Sequence, residues 1–274
     1  MERTKVNGVE LEFEVVGSGT GEPVLLISPV LADGFLPLVS EPALADRYQL
    51  IRYHKRGWVG STRTEGPVSI ADHVADAAAL LQELGVPEAH VAGHSSGGAV
   101  AAQLALDHPA IVRTLTLLEL SLPLVPGAEA FFREVGPAFE AYGSGDHEGA
   151  LSLFLSVISG LDWATCRAAL DELLPGAVEQ AIKDADTFFG VELPAIGEWG
   201  FGLSQAALIE CPVLSVLGGR TQPLWVEVAA FLRASVPHIE DCTIEGAGHL
   251  LQIERPESVA RAMAAFLGRN AMGR

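Results

Sequence analysis

Lysine is nearly missing from this 274-residue chain, which has three: Lys5, Lys55 and Lys183. Lys plus Arg total 17 against 35 Asp plus Glu, a formal net charge of −18. Such a surface repels phosphate backbones and anionic headgroups, which excludes nucleic-acid binding and charge-driven membrane attachment as main activities. Cysteine is scarce as well. Cys166, Cys211 and Cys242 are odd in number, far apart and form no C-x-x-C pair, so buried thiols in a reducing compartment are expected rather than a disulfide framework or a zinc site. Apolar stretches are broken by Gly, Pro or charge well before the 18 or so residues that a membrane span needs. The N-terminus, Met1 to Gly8, has no apolar h-region, so the expectation is no signal peptide and a cytoplasmic location. There is no H-E-x-x-H, no P-loop and no G-x-G-x-x-G opening a helix, and His90 and His94 straddle a strand and a turn. No metal and no organic cofactor is expected.

What is present is apolar substance. Hydrophobic residues make up 49% of the chain and charged ones 19%, ample for a large core and incompatible with disorder. Thr4–Val6, Asn7-Gly8 and the alternating run Val9–Val16 predict a β-hairpin. Pro23–Ser28 is apolar on both faces, as a buried parallel strand should be, and Tyr48–Tyr53 is a second such candidate. Ser69 caps a predicted helix with apolar spacing from Ile70 to Leu84, stopped by Gly85. Strands at Ala89–Ala92 and Val112–Leu118 flank a small-residue helix, Ser96–His108. The alternation of strand and helix indicates a parallel sheet covered on both faces.

That rhythm stops between about 123 and 206, where helical patterns carry ten of the chain's 18 aromatic residues. It resumes with a strand at 212–217, a helix near 224–234, a strand near 239–244 and a helix from Pro256 to about Gly268. The division expected is an α/β core made of residues 1–122 and 207–274, interrupted by a helical cap, 123–206.

The stretch Gly93-His94-Ser95-Ser96-Gly97 matches G-x-S-x-G and stands where that motif has chemical meaning, after a strand and opening a helix. The tight turn exposes the serine, bulk at Gly93 or Gly97 would clash, and the helix N-terminus offers N–H groups to a developing oxyanion. On these residues the whole chain resembles the α/β-hydrolase superfamily, with its lid-bearing esterases, enol-lactonases, carbon–carbon bond hydrolases and cofactor-free haloperoxidases. The resemblance implies an eight-stranded, mostly parallel sheet flanked by helices, with a helical lid. Tyr53–Ser61 is similar to the family's arginine–glycine loop, in which Arg56 is structural. Ile244–Glu257, with His249 behind a glycine-rich turn and ahead of a proline-started helix, looks like the family's base loop.

The resemblance assigns Ser95 as nucleophile and His249 as general base. A free imidazole base would lose activity below about pH 6 to 7. The usual acid, an aspartate in a G-x-x-D segment, is missing. Gly218-Gly219-Arg220-Thr221 stands there. Some members place the acid after the preceding strand instead, which points to Glu119, a carboxylate costly to bury without a partner such as His249. Alignment with the family assigns the oxyanion-hole donors to the backbone N–H groups of Val30 and Ser96, because Pro29 has none. Asp33, Phe35 and the lid aromatics are expected to line the substrate pocket. Serine at the nucleophile position argues against epoxide hydrolase and dehalogenase chemistry, which need aspartate. The expected activity is hydrolysis of a small to medium, mostly apolar carboxylic ester or lactone. Carbon–carbon bond hydrolysis with the same triad and a non-catalytic small-ligand receptor are the alternatives. A small molecule is the expected partner, and a homodimer stays open.

Overall fold

The computed structural model describes residues 1–273. Eight strands form one sheet: β1 (Glu2–Val6), β2 (Val9–Gly17), β3 (Glu22–Ile27), β4 (Tyr48–Tyr53), β5 (Ala89–His94), β6 (Val112–Leu118), β7 (Val213–Gly218) and β8 (Ile239–Ile244). Their spatial order is β1-β2-β4-β3-β5-β6-β7-β8. The hairpin β1–β2 and the β2–β4 pair are antiparallel, and every other pair is parallel. This is the expected α/β-hydrolase architecture.

The central strands read as unbroken apolar runs because both faces are covered. In β3, Leu25 and Ile27 join the core beneath the helices Ile70–Glu83 and Ser96–Asp107, while Val24 and Leu26 join a second core on the other side. That second core is closed by the short helices Leu36–Val39 and Pro42–Ala45 and by the long C-terminal helix Pro256–Arg269. Side chains two apart share a face, so one strand feeds two cores.

The helix Ile70–Glu83 starts where its cap requires. Asp72 N–H donates to Ser69 Oγ at 3.2 Å, and Ser69 N–H donates to Asp72 Oδ2 at 2.8 Å, a reciprocal pairing that satisfies two orphan donors. Arg56 forks onto Asp76 of this helix with two bonds of 2.6 Å. Between β6 and β7 the described residues hold helices and no strand, from Ala128–Gly143 to Leu203–Ala206. Among the described residues no single helix is long and apolar enough to cross a membrane.

His73 is buried with neither ring nitrogen hydrogen-bonded. Burial pushes its pKa down to about 3, whereas an unfolded chain protonates near 6.5. The unfolded state therefore takes up the proton first as pH falls, so this contribution to stability is whole above 6.5 and is lost progressively toward 3. His73→Leu should remove about 2 kcal/mol of the stability lost by wild type between pH 7 and pH 5, read from urea midpoints. Equal pH dependence in both proteins would contradict it.

Candidate active site

Four parallel strands end at one place, and each delivers a group there. Ser95 follows β5, Glu119 follows β6, Gly218 ends β7, and His249 lies in the loop after β8. Open α/β sheets collect their chemistry at the carboxyl ends of the strands for this reason.

Ser95 adopts φ +53° and ψ −120° at the N-cap of the helix Ser96–Asp107. A Cβ on Gly93 would stand 2.3 Å from Gly97 O, and one on Gly97 would stand 2.1 Å from Ile27 O, so both turn glycines are sterically required. Glu119 also has positive φ, +44°. Residues other than glycine held in this region carry strain that the surrounding fold must overcome. Backbone bonds lock the two turns together: Ser95 N–H to Leu118 O at 3.0 Å, Ser121 N–H to Ser95 O at 3.1 Å, and Glu119 N–H to Val216 O at 3.0 Å.

Glu119 is buried and accepts three hydrogen bonds. Gly218 N–H donates to Oε1 at 2.7 Å, the Thr221 hydroxyl to Oε2 at 2.7 Å, and His249 Nδ1 stands 2.6 Å from Oε2. With Nδ1–H directed at the carboxylate, the lone pair of His249 is left on Nε2, the tautomer a general base needs. Burial raises the pKa of the Glu119 carboxyl, against the pull of the Gly218 and Thr221 donors, and lowers that of His249.

The imidazole is also held by its neighbours. Trp225 stacks on it, with ring centroids 3.8 Å apart and planes 26° apart. His94 Nε2–H donates to His249 O at 2.8 Å, and Gln252 Nε2 donates to His94 Nδ1 at 2.9 Å. Those two bonds require neutral His94. Burial, and the proximity of His249, hold its pKa well below the usual imidazole value. Glu254 Oε2 accepts from Gly248 N–H at 3.0 Å and pins the loop that carries His249.

Ser95 Oγ pairs with Ser121 Oγ at 2.9 Å. Among the described residues no hydrogen bond joins Ser95 to His249; such bonds in unliganded sites are often loose and tighten when substrate binds. Ser96 opens the helix, where N–H groups have no intrahelical acceptor, and its side chain donates to Glu192 Oε1. Glu192 Oε2 accepts Lys55 Nζ at 2.6 Å and Trp58 Nε1 at 2.9 Å. Val30 is buried in the loop after β3.

A cavity of about 260 Å³ opens on Ser95. Phe131, Phe132, Phe139, Phe154 and Trp225 line it, and its polar side-chain groups are the hydroxyls of Ser95 and Ser121 and the indole N–H of Trp225, unpaired among the described residues. Asp33 and Phe35 do not, a correction to the sequence reading. Asp33 is held by Arg52 at 2.5 Å and His54 at 3.1 Å, and Phe35 is packed in the core under the C-terminal helix. Ser121, Trp225 and Glu192 escaped the sequence reading. Only Ser121 had a local signal, its place two residues beyond Glu119.

A family model for the alpha/beta hydrolase fold matches residues 36–256. RutD of Azorhizobium caulinodans, named for carbamate hydrolysis, is 39% identical over 109 residues, a stretch that spans 40% of this chain and 40% of that protein. The dihydrolipoyllysine-residue acetyltransferase component of the acetoin cleaving system of Cupriavidus necator is 27% identical over 269 residues, covering 96% of this chain and 68% of its own. The enol-lactonase of Burkholderia xenovorans LB400 superposes with a TM-score of 0.82 at 20% identity, over 97% of this chain and 100% of that one. That last likeness is one of fold.

Proposed function

Because the chain belongs to the α/β-hydrolase fold family, we propose that it is a serine hydrolase of carboxylic esters or lactones with a small to medium, mostly apolar acyl part. Ser95 Oγ attacks the carbonyl carbon while its proton passes to His249 Nε2. The tetrahedral oxyanion is held by the N–H groups of Val30 and Ser96. Collapse breaks the ester bond, and the departing alkoxide takes the proton from His249. Water then repeats the sequence on the acyl-enzyme and releases the carboxylic acid. Glu119 keeps the imidazole in its productive tautomer and stabilises the imidazolium. Residues 123–206 form the lid over the cavity.

One observation carries this reading: a serine at positive φ borders an apolar cavity beside a buried histidine–carboxylate pair. A fluorophosphonate probe followed by mass spectrometry tests it. A single adduct on Ser95, with turnover of p-nitrophenyl butyrate abolished in Ser95→Ala, is the expected result. Probe and ester both left untouched by the folded protein would overturn it in favour of a receptor.

The pH profile offers a second check. Protonation of the coupled Glu119–His249 pair takes up the Nε2 lone pair that has to accept from Ser95, so kcat/KM should fall as pH drops below about 6 to 7. A kcat/KM unchanged from about pH 8 down to about pH 4 would remove His249 as the general base.

A further inference from the structure

The cavity on Ser95 is small and lined mostly by apolar side chains. We propose that it takes the acyl part of a neutral arylalkanoate ester, an aromatic ring on a short methylene tether, with no ionised group beyond the scissile carbonyl. The inference rests on the serine-hydrolase reading of Ser95.

Charge supports the first half. Apart from the hydroxyls of Ser95 and Ser121 and the indole N–H of Trp225, the side chains lining the cavity are apolar; Ser121 Oγ stands 2.9 Å from the nucleophile, and Trp225 stacks on His249. The polar atoms of a bound substrate are thereby confined to the scissile end. A carboxylate carried deeper would lose its hydration and meet no partner. Among the described residues no cation lines the cavity, and the buried or half-buried cations Lys55, Arg56 and Arg52 are engaged with Glu192, with Asp76, and with Glu14 and Asp33. The net charge of −18 further disfavours the approach of anions.

Volume and shape support the second half. An apolar cavity of about 150 Å³ admits benzene. At about 260 Å³ this one has room for a ring and roughly three or four more non-hydrogen atoms, at about 30 Å³ each. Five aromatic rings surround that space, and Phe131 meets Trp225 edge-on, centroids 5.5 Å apart and planes at 74°. An aryl group entering such a box finds edge-to-face partners that an alkyl chain does not. A ring on three methylenes matches that volume.

The test compares p-nitrophenyl esters of acetate, 4-phenylbutyrate and glutarate (the monoester), with fluorophosphonate labelling of Ser95 as a separate readout. The kcat/KM for 4-phenylbutyrate should exceed that for acetate by about 10²-fold and that for the glutarate monoester by about 10³-fold. Val135→Phe, which adds ring atoms inside the cavity, should cut the 4-phenylbutyrate-to-acetate ratio by at least about tenfold. Ser95 labelled and acetate hydrolysed without a preference for 4-phenylbutyrate would overturn the inference alone. Comparable turnover of the glutarate monoester would do the same, as would a ratio untouched by Val135→Phe. An unlabelled Ser95 with no ester turned over would overturn the serine-hydrolase reading beneath it.

Discussion

Ser95→Ala should lower kcat on a p-nitrophenyl ester by on the order of 10⁶, and His249→Ala by a similar factor. The effects are that large because the groups act as one unit: without the base the hydroxyl stays protonated, and without the hydroxyl the base has only water to activate. Ser95→Ala is the cleaner variant. It removes one oxygen, keeps a Cβ at the same positive φ and costs the hydrogen bond to Ser121. His249→Ala also leaves Glu119 buried without its imidazole and opens the space under Trp225, so part of its loss could come from the fold. Urea midpoints of both variants separate the two causes, since about 3–5 kcal/mol attends the breaking of a buried pair. Retention of a tenth of wild-type turnover by Ser95→Ala would remove Ser95 from the reaction.

The sheet was legible because its strands obey local rules. Tyr48–Tyr53 and Val112–Leu118 begin and end where their apolar runs do, and the helix at Ile70 begins where Ser69 and Asp72 can cap it. One-turn helices such as Leu36–Val39 and Leu251–Glu254 are too short to display a period of 3.6 residues and were not read. Within the site, Ser95 could be nominated from its motif, and His249 and Glu119 from the family resemblance that the motif opens. The direction of a loop side chain could not. Phe35 follows β3 closely, as a pocket residue would, yet it turns into the core because the C-terminal helix supplies an apolar partner there. Lys55 and Glu192 lie 137 positions apart, and only the packing of the helical segment against the sheet brings them together.

Glu119→Gln should preserve the fold and lower kcat by up to about 10⁴. The amide keeps the shape and one oxygen for Gly218 N–H, but it turns an acceptor into a donor where Oε2 now meets His249 Nδ1 at 2.6 Å. An N–H facing Nδ1 moves the imidazole proton to Nε2, the nitrogen that has to accept from Ser95, and the charge that stabilises the imidazolium is gone as well. Thr221 supplies the complementary experiment. Its hydroxyl reaches the same carboxylate oxygen at 2.7 Å, so position 221 already borders the point where carboxylate and imidazole meet. Adding Thr221→Asp to Glu119→Gln returns an anion to that point, with the glutamine amide as its donor, and should recover part of the lost kcat. In the wild-type background the same Thr221→Asp places two carboxylates side by side in a buried site, where like charges oppose ionisation, and activity should fall. Normal turnover by Glu119→Gln would leave His249 to act without a carboxylate. A double variant no better than the single would mean that the imidazole needs its acid in the geometry set by the strained turn after β6, where φ at Glu119 is +44°, and not merely a negative charge within reach.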